Sequence, residues 1–379
     1  MKKVWQFVKR ESVLSAAVLL ALVSAFFVPP DADYWDYIDR HTLIVLFSLM
    51  TVMALLRRQG VFERLGRALL SRTRSLLQIL FVLVGLCFFG SMFITNDVSL
   101  LTFVPFTFVV LENLGGDALR RLAVPTVCMQ TVAANLGSML TPIGNPQNLY
   151  LFGKSGMSIG EFIALMLPYS LASLVLLAVW CIALGRRSAL TETSAAPGGT
   201  DTPLDAKRVA LYALLFLVCL LAVMRIVPDA AVLALVLVCA LIADRKAVAE
   251  VDYSLLLTFV AFFVFIGNLG RIPAFSSWLQ SILSGHEVLA AVVASQVTSN
   301  VPAALLLSGF TSETEALIIG TNLGGLGTLI ASMASLISYR KIARALPDTK
   351  GRYFRTFTVS NVIFLAALLG LWAILTSAY

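Results

Sequence analysis

Long runs of apolar residues, separated by short polar or charged segments, follow one another along the whole chain. A membrane-spanning helix needs about 20 such residues, and several runs reach that length while others are shorter. The twelve runs lie at 12–29, 41–56, 75–94, 97–111, 122–143, 160–185, 209–224, 229–243, 253–269, 286–310, 316–338 and 357–378. The pattern predicts an all-α polytopic membrane protein.

Composition supports this prediction. The chain has 379 residues, of which 59% are hydrophobic and 13% charged, whereas a soluble domain carries roughly a quarter charged residues. All five cysteines lie within the apolar runs, and an odd, buried set is not a disulfide framework.

The basic residues indicate membrane topology rather than a nucleic-acid surface, although the formal net charge is +7. With a cytoplasmic N-terminus, 24 of the 28 Lys and Arg can be placed inside, as the positive-inside rule requires. The four left outside are Arg40, Lys154, Arg225 and Arg271. We therefore expect a multi-pass protein of the cytoplasmic (inner) membrane. The first run resembles a signal peptide but lacks a convincing cleavage site, so we expect it to be retained.

The two halves of the chain resemble each other. "NLGSMLTPI" (135–143) and "NLGGLGTLI" (322–330) share the pattern N-L-G-x-x-x-T-x-I, and a polar break precedes each, "ITNDVSLL" and "TSNVPAALL". The openings "YIDRHTLIVLF" and "EVDYSLLLTFV" also match, and each is followed by an amphipathic stretch, at 60–74 and 270–284. Three matches in register predict an internal repeat.

Spacing predicts that the polar breaks lie near the middle of the membrane. The arm that follows Asn300 has about 10 residues before the acidic turn "TSETE" and rises only about 15 Å, half of a bilayer core. Two full spans do not fit between Asn300 and Asn322, so 286–310 is predicted to be a re-entrant hairpin. Five crossings separate Asn96 from Asn300. Because that number is odd, the two hairpins enter from opposite faces, which defines an inverted-topology repeat.

The resulting prediction has about nine membrane crossings in two repeats. The first repeat is 1–187, with a re-entrant hairpin at 75–112 and a broken helix at 122–150. A cytoplasmic linker follows at 188–207. The second repeat is 208–379, with a hairpin at 286–310 and a broken helix at 316–338.

Helix breaks at this depth predict a binding site. Unwound backbone is tolerated inside a membrane only where it lines a cavity or is buried in protein. Asn, Ser, Thr and carbonyl oxygens suit Na⁺, and half-helix N-termini offer partial positive charge to an anion. We therefore expect no resident cofactor, with Na⁺ or H⁺ as the coupling ion.

The tips Thr95-Asn96-Asp97 and Ser299-Asn300, the two N-L-G-x-x-x-T stretches and the segment "TPIGNPQN" resemble the ion transporter superfamily. That superfamily includes divalent anion/sodium symporters, citrate carriers, arsenite permeases and a branch of Na⁺/H⁺ antiporters. Its symporters carry Ser-Asn-Thr at both tips, whereas the tips here read Thr-Asn-Asp and Ser-Asn-Val.

The resemblance implies the residues of a candidate site. One cation site would use Thr95, Asn96, Asn135 and Gly137, and its partner Ser299, Asn300, Asn322 and Gly324. Substrate would lie near Thr141, Gly144, Asn145 and Thr328. The resemblance also implies a homodimer.

Asp97 is the only carboxylate that this threading places near the midplane, where a charged side chain costs about 2.5 to 3.5 kcal/mol on insertion scales. A coupling role explains such a residue, and so does capping of the helix that begins beside it. The paired asparagines likewise have a functional and a structural interpretation, because Asn also forms hydrogen bonds across helices for structural reasons.

These features predict a secondary active transporter of a small anion, namely a dicarboxylate, citrate or an inorganic oxyanion, coupled to Na⁺ or H⁺ by alternating access. The alternatives are a Na⁺/H⁺ antiporter and an arsenite-type metalloid efflux permease. An intramembrane aspartyl protease would need two facing Asp residues, and no nucleotide-binding motif is found, so we expect no enzymatic activity.

Overall fold

The computed structural model describes residues 11–187 and 204–377, and this part of the chain forms eighteen α-helices, two short 3₁₀ helices and no strand. In chain order the α-helices are α1 Ser12–Phe27, α2 Arg40–Arg58, α3 Val61–Leu70, α4 Leu76–Ile94, α5 Asn96–Asn113, α6 Gly116–Ser138, α7 Pro146–Ser155, α8 Ile159–Arg187, α9 Ala206–Val223, α10 Asp229–Asp244, α11 Lys246–Ala249, α12 Tyr253–Gly270, α13 Pro273–Leu283, α14 Glu287–Thr298, α15 Asn300–Ser308, α16 Thr314–Gly324, α17 Met333–Ala345 and α18 Lys350–Ser377. The all-helical prediction is confirmed.

Within the described residues, six helical segments are long and apolar enough to cross a membrane by length and composition. They are Ala32–Arg58, Leu76–Ile94, Ile159–Arg186, Ala206–Val223, Tyr253–Gly270 and Pro347–Ser377. Two further apolar helices among the described residues, α1 and α14, are shorter. The chain is therefore a multi-pass helical membrane protein.

The seven helices α2–α8 have the same order and kind as α12–α18. Each set opens with a helix capped by an aspartate. Asp39 accepts a hydrogen bond from the Thr42 amide at 3.0 Å, and Asp252 accepts one from the Leu255 amide at 2.9 Å. A carboxylate at this position satisfies a free N–H group and favours the positive helix end. A short helix follows in each set, α3 and α13, within the amphipathic stretches 60–74 and 270–284 of the sequence.

Each predicted hairpin consists of two helices joined by a single residue. Thr95 alone separates α4 from α5, and Ser299 alone separates α14 from α15. The predicted broken helices are likewise each two helices. Residues 139–145 lie between α6 and α7, and residues 325–332 lie between α16 and α17.

The outer ends of the broken helices extend beyond the predicted limits of 122–150 and 316–338. The first pair of helices begins at Gly116 and ends at Ser155, and the second pair begins at Thr314 and ends at Ala345. Hydropathy marks only the apolar part of a helix, whereas backbone hydrogen bonding continues into polar turns. The predicted linker 188–207 lies mostly outside the described residues, as does the basic segment 2–10.

The two sets of helices interlock. In the first set α4 and α5 pack on α6, and in the second α14 and α15 pack on α16. The inner halves of the broken helices cross over, because α7 packs against α15 and α16 while α17 packs against α5 and α6. The helices that precede each set pack against the other set: α1 packs on α12, and α10 packs on α2. The centre of the molecule is therefore built from both halves.

Candidate functional site

Both hairpin tips hold a residue in a backbone conformation that suits glycine. Thr95 has φ 65° and ψ 156°, and Ser299 has φ 79° and ψ 155°. In the described part of the chain, the only other non-glycine residue with positive φ is Arg225. This region is almost exclusive to glycine and costs about 1–3 kcal/mol per residue. Two matched tips with the same strain indicate a geometry that the surrounding structure enforces.

The surrounding structure holds each tip through the asparagine that follows. The backbone N–H of Asn96 donates to the carbonyl of Gly144 at 3.3 Å, and that of Asn300 donates to the carbonyl of Ala331 at 3.0 Å. Gly144 and Ala331 occupy equivalent positions in the two breaks. Each asparagine Oδ1 also accepts from the next backbone N–H, at 2.9 and 3.0 Å. The breaks and the tips therefore fix one another.

Four helix N-termini, those of α5, α7, α15 and α17, meet at these contacts. Their N-cap residues are Thr95, Asn145, Ser299 and Ser332, all types that usually cap a helix, yet none of the four side chains caps its own helix. The N–H groups of a first helical turn carry about half a positive charge in total. The arrangement concentrates positive potential at the centre of the molecule.

Asn135 in α6 joins the first tip to the second half. Its Oδ1 accepts from Asn96 Nδ2 at 3.0 Å and from Ser332 Oγ at 3.0 Å. Its Nδ2 donates to the carbonyl of Gly325 at 3.4 Å. A buried side chain with partners in both halves couples their positions.

Asn322 in α16 plays the equivalent part. Its Oδ1 faces Asn145 Nδ2 at 3.5 Å, and its Nδ2 donates to Asn148 Oδ1 at 2.6 Å. Asn145 in turn donates to Ser138 Oγ at 2.7 Å. Asn145 and Ser332 hold equivalent positions in the two breaks. Each half therefore contacts the central asparagine of the other half through the residue at this position.

The predicted glycines lie where backbones approach closely. A Cβ atom at Gly137 would collide with the Phe88 carbonyl, and one at Gly324 would collide with Ser295. A Cβ at Gly144 would collide with the carbonyl of Ser138. Gly137 and Gly324 therefore allow the hairpins to pack against the broken helices, and Gly144 allows the first break to approach the end of α6.

The two predicted threonines fasten the breaks to the hairpins. Thr141 Oγ1 donates to the carbonyl of Met92 at 2.5 Å, and Thr328 Oγ1 donates to that of Gln296 at 3.1 Å. Met92 and Gln296 are equivalent positions. Both hydroxyls therefore already have a hydrogen-bond partner within the protein. Thr328 is also exposed.

Asp97 has no equivalent in the second half, where Val301 takes its position. One carboxylate oxygen, Oδ1, is buried without a hydrogen-bond partner in the structure. Asp97 lines a cavity of about 120 Å³ that also contacts Thr95 and Pro146. A carboxylate oxygen in this state is available to a proton or a cation.

The same cavity reaches a group of ion pairs beyond Asp97. Arg57 and Glu250 line it and pair at 2.5 Å, and Arg58 pairs with Asp244 at 2.5 Å and with Glu250 at 2.6 Å. Partial burial raises the pKa of Glu250, but its hydrogen bonds and charge contacts with the two arginines outweigh burial and bring the pKa below the ordinary value. The cavity therefore runs from the tip of the first hairpin to the C-terminal end of α2.

Contacts near the other end of α2 close the molecule. Lys154 Nζ donates to the carbonyl of Ser308 at 2.7 Å, and Tyr150 Oη lies 2.9 Å from Ser308 Oγ. Asp39, which caps the start of α2, is within electrostatic range of Lys154. Since α2 is about 28 Å long, the cavity and this closure lie near opposite ends of the site.

Sequence reasoning missed Gln147, in the first turn of α7. Its side chain is 1% exposed, and neither its Nε2 nor its Oε1 has a partner in the structure. The Oδ1 of Asn145 is also buried without a partner. The available signal was a glutamine in the polar segment "TPIGNPQN", beside residues already selected. Asn148, Ser138 and Ser332 were missed as well, and alignment of the two repeats would have found Ser332.

Known proteins with similar sequences include transporters. Residues 4–315 match the family CitMHS, described as citrate transporter. The inner membrane protein YbiR of Escherichia coli is 33% identical over 329 residues, 85% of this chain and 86% of that protein. The uncharacterized transporter MJ0456 of Methanocaldococcus jannaschii is 31% identical over 367 residues, 95% of each chain.

A more distant match is the silicon efflux transporter LSI3 of rice, which is 34% identical over 154 residues, 40% of this chain and 30% of that protein. The family, MJ0456 and LSI3 are described as transporters rather than enzymes. The predicted resemblance is confirmed, and the chain belongs to the citrate transporter family.

Proposed function

We propose that the protein is a secondary active transporter that moves a small anion, namely a dicarboxylate, citrate or an inorganic oxyanion, across the cytoplasmic (inner) membrane. The observation that carries this proposal is the convergence of four helix N-termini whose N-cap side chains leave their own helices uncapped. Such ends attract negative charge. The unpartnered amide of Gln147 supplies both a donor and an acceptor for the polar groups of a substrate.

The coupling ion acts at Asp97. An anion held close to an ionised carboxylate would be repelled, and the repulsion is strong where water is scarce. A Na⁺ ion or a proton bound at Asp97 removes the repulsion, so anion and cation bind together. This linkage is the basis of symport. The cation ligands are Asp97 with Thr95, Asn96, Asn135 and Gly137.

Transport proceeds by alternating access. The cavity beside Asp97 opens toward one end of α2, while Lys154, Tyr150 and Ser308 close the molecule near the other end. The matched helix orders of the two sets support an inverted repeat with nine crossings, in which the moving parts exchange these two arrangements. Arg57 and Arg58 lie at the end that the positive-inside rule assigns to the cytoplasm. We further propose a homodimer in the bilayer.

A flux screen with purified protein in liposomes tests the function. We expect saturable uptake of one anion among citrate, succinate and sulfate. Asn96→Ala and Asn300→Ala should each abolish most of the uptake, because each removes the side chain that fixes a tip. Asn361→Ala is the matched control, since Asn361 is a buried asparagine in α18 that bonds only within its own helix. If both tip variants transported at the wild-type rate, the site would lie elsewhere.

The coupling role of Asp97 is tested by Asp97→Asn, which keeps the size of the side chain and removes its charge. In the wild type, protons and Na⁺ compete for the carboxylate, so a lower pH should weaken the apparent Na⁺ affinity. The variant should lose this dependence on pH. An unchanged pH dependence in Asp97→Asn would reduce Asp97 to a helix cap.

Two other transport activities are tested in the same flux screen. Na⁺/H⁺ exchange is favoured by the carboxylate of Asp97, which has a free oxygen beside the first tip. Arsenite efflux is favoured by the similarity to a silicon efflux transporter. Exchange of Na⁺ for H⁺ without any anion, or flux of arsenite alone, would replace anion symport as the function.

A further inference from the structure

The break that follows α16 contains a side chain that its counterpart in the first half lacks. Gln296, near the end of α14, extends into this break. Its Nε2 lies 3.0 Å from the carbonyl oxygen of Gly324, 2.9 Å from that of Leu326 and 3.2 Å from that of Val292. Its Oε1 accepts from the backbone N–H of Thr328 at 2.9 Å. The carboxamide is therefore fully engaged.

The backbone of the break is shaped around this side chain. Gly327 has φ 106°, and a Cβ at this position would collide with the carboxamide of Gln296. A glycine is needed there both for the positive φ and for the space. Gln296 is thus an integral part of the break.

The first half has Met92 where the second half has Gln296, since each lies three residues before its tip residue. A thioether has no hydrogen to donate. The carbonyls of Gly137 and Met139, equivalent to those of Gly324 and Leu326, therefore receive nothing from this position. The first half also has Asp97 where the second has Val301. Of the two half-sites, the first offers oxygen ligands and a carboxylate, whereas the second has a neutral amide among its carbonyls.

An amide NH₂ group and a small cation compete for the same place. Backbone carbonyl oxygens are ligands for hard cations, and they satisfy an N–H group equally well. A cation could enter the second break only by displacing the Gln296 amide, which would then be left without its carbonyl acceptors. The loss of these hydrogen bonds would not be offset by a carboxylate ligand for the cation, because Val301, at the position of Asp97, is uncharged.

We propose that the carboxamide of Gln296 takes the place of a coupling cation in the second half, so that the protein binds one Na⁺ per chain, in the first half beside Asp97. This inference rests on the cation-coupled transport proposed above. Substrate movement is then coupled to a single cation although the fold repeats the hairpin and the break twice. Gln296 and Met92 are the residues that set this number.

Equilibrium binding of radioactive Na⁺ to the purified full-length protein tests the proposal. The wild type should bind one Na⁺ per chain. Met92→Gln together with Leu140→Gly, which brings Gln296 and the glycine that makes room for it into the equivalent positions of the first half, should abolish this binding. The reverse exchange, Gln296→Met together with Val301→Asp, should raise the count to two. Thermal unfolding of each variant checks that it is folded.

Several results would overturn the proposal: two Na⁺ or none bound by the wild type, unchanged binding in the variant with Met92→Gln and Leu140→Gly, or loss of the wild-type Na⁺ in Gln296→Met. If that double variant does not fold, the wild-type count and the count for the reverse exchange still decide. Anion uptake is measured in parallel. A wild type that carries anion but binds no Na⁺ overturns the single-cation proposal and leaves anion transport intact, whereas a wild type that carries no anion contradicts the proposed function itself.

Discussion

Gln147 is a side chain whose presence the fold alone does not explain. A buried amide without partners costs about 1–3 kcal/mol relative to a satisfied one, and both polar atoms of Gln147 are in this state. Such groups persist where a ligand completes their hydrogen bonds. Asn145, two residues before Gln147, also has an unpartnered Oδ1. Two residues at the start of α7 therefore carry this energetic cost.

Substitution of Gln147 separates stability from transport. Gln147→Met removes two unsatisfied polar atoms, so we expect the free energy of unfolding to be unchanged or higher by about 1 kcal/mol. Transport should fall at least about tenfold, because a lost hydrogen bond to substrate is worth roughly 1.4 kcal/mol. The measurements are chemical unfolding in detergent and liposome flux.

Gln130→Met is the matched control. Gln130 is equally buried in the neighbouring helix α6, and its Nε2 donates to the carbonyl of Leu83 at 3.1 Å while its Oε1 has no partner. This control loses one hydrogen bond and one unsatisfied atom, so its free energy of unfolding should change by less than about 1 kcal/mol, and it should keep its transport rate per folded molecule. Wild-type flux in Gln147→Met would exclude Gln147 from the substrate site.

At the scale of elements, the two hairpins and the two breaks form one mechanical unit in each half. The tip residues Thr95 and Ser299 are strained, and the bonds from Asn96 to Gly144 and from Asn300 to Ala331 hold the strain in place. The positive ends of four helices depend on this arrangement, since a relaxed tip would turn its N–H groups away from the centre. We therefore attribute the strain to the geometry of the proposed anion site and not to a requirement for helix stability.

Glycine at each tip tests this idea. Thr95→Gly and Ser299→Gly relieve about 1–3 kcal/mol of strain, offset in part by about 0.5–1 kcal/mol for the greater freedom of glycine in the unfolded chain. We expect a net gain of about 1 kcal/mol in the free energy of unfolding together with reduced transport. Thermal unfolding and flux are measured on the same preparations.

Arg225→Gly is the control for the tips. Arg225 is the third described non-glycine residue with positive φ, at 57°, and it lies outside the site with an exposed hydrogen bond to the carbonyl of Gly153. The control should retain full transport. Destabilised tip variants would mean that the tips are not strained.

At the scale of the whole molecule, the arrangement of the two helix sets predicts a topology. The proposed nine crossings would place the N-terminus and the C-terminus on opposite faces, and an odd number of crossings between the two hairpins would make the two sets inverted. The cavity at Arg57 and the closure at Lys154 lie near opposite ends of α2, as expected if access alternates between two faces.

Reporter fusions measure this topology. A reporter that is active only outside the cytoplasm should be active when fused after Tyr379 and inactive when inserted in the predicted linker 188–207. The complementary cytoplasmic reporter should give the reverse pattern. Cytoplasmic activity after Tyr379 would remove the odd number of crossings and, with it, the inverted repeat.

The sequence by itself determined the helical class, the positions of the breaks and the correspondence between the two halves. These features depend on local chemistry. Apolar runs form helices in a membrane, while the cluster of Pro142, Gly144 and Pro146 marks the break between α6 and α7. Likewise, Asn135 and Asn322 were recognisable because their flanking residues repeat. Helix limits such as Gly116 and Ala345 were less accessible, because polar turns continue a helix without an apolar signal.

Only the tertiary structure decided which of these polar groups have partners. Asn322 bonds to Asn148, which lies 174 positions away, and no spacing rule connects residues at that distance. The structure also assigned the hydroxyl of Thr141 to a carbonyl of α4, left the amide of Gln147 without any partner and filled the second break with Gln296. Whether a buried polar atom is satisfied depends on what the fold packs against it, and that is a property of the assembled molecule rather than of any one segment.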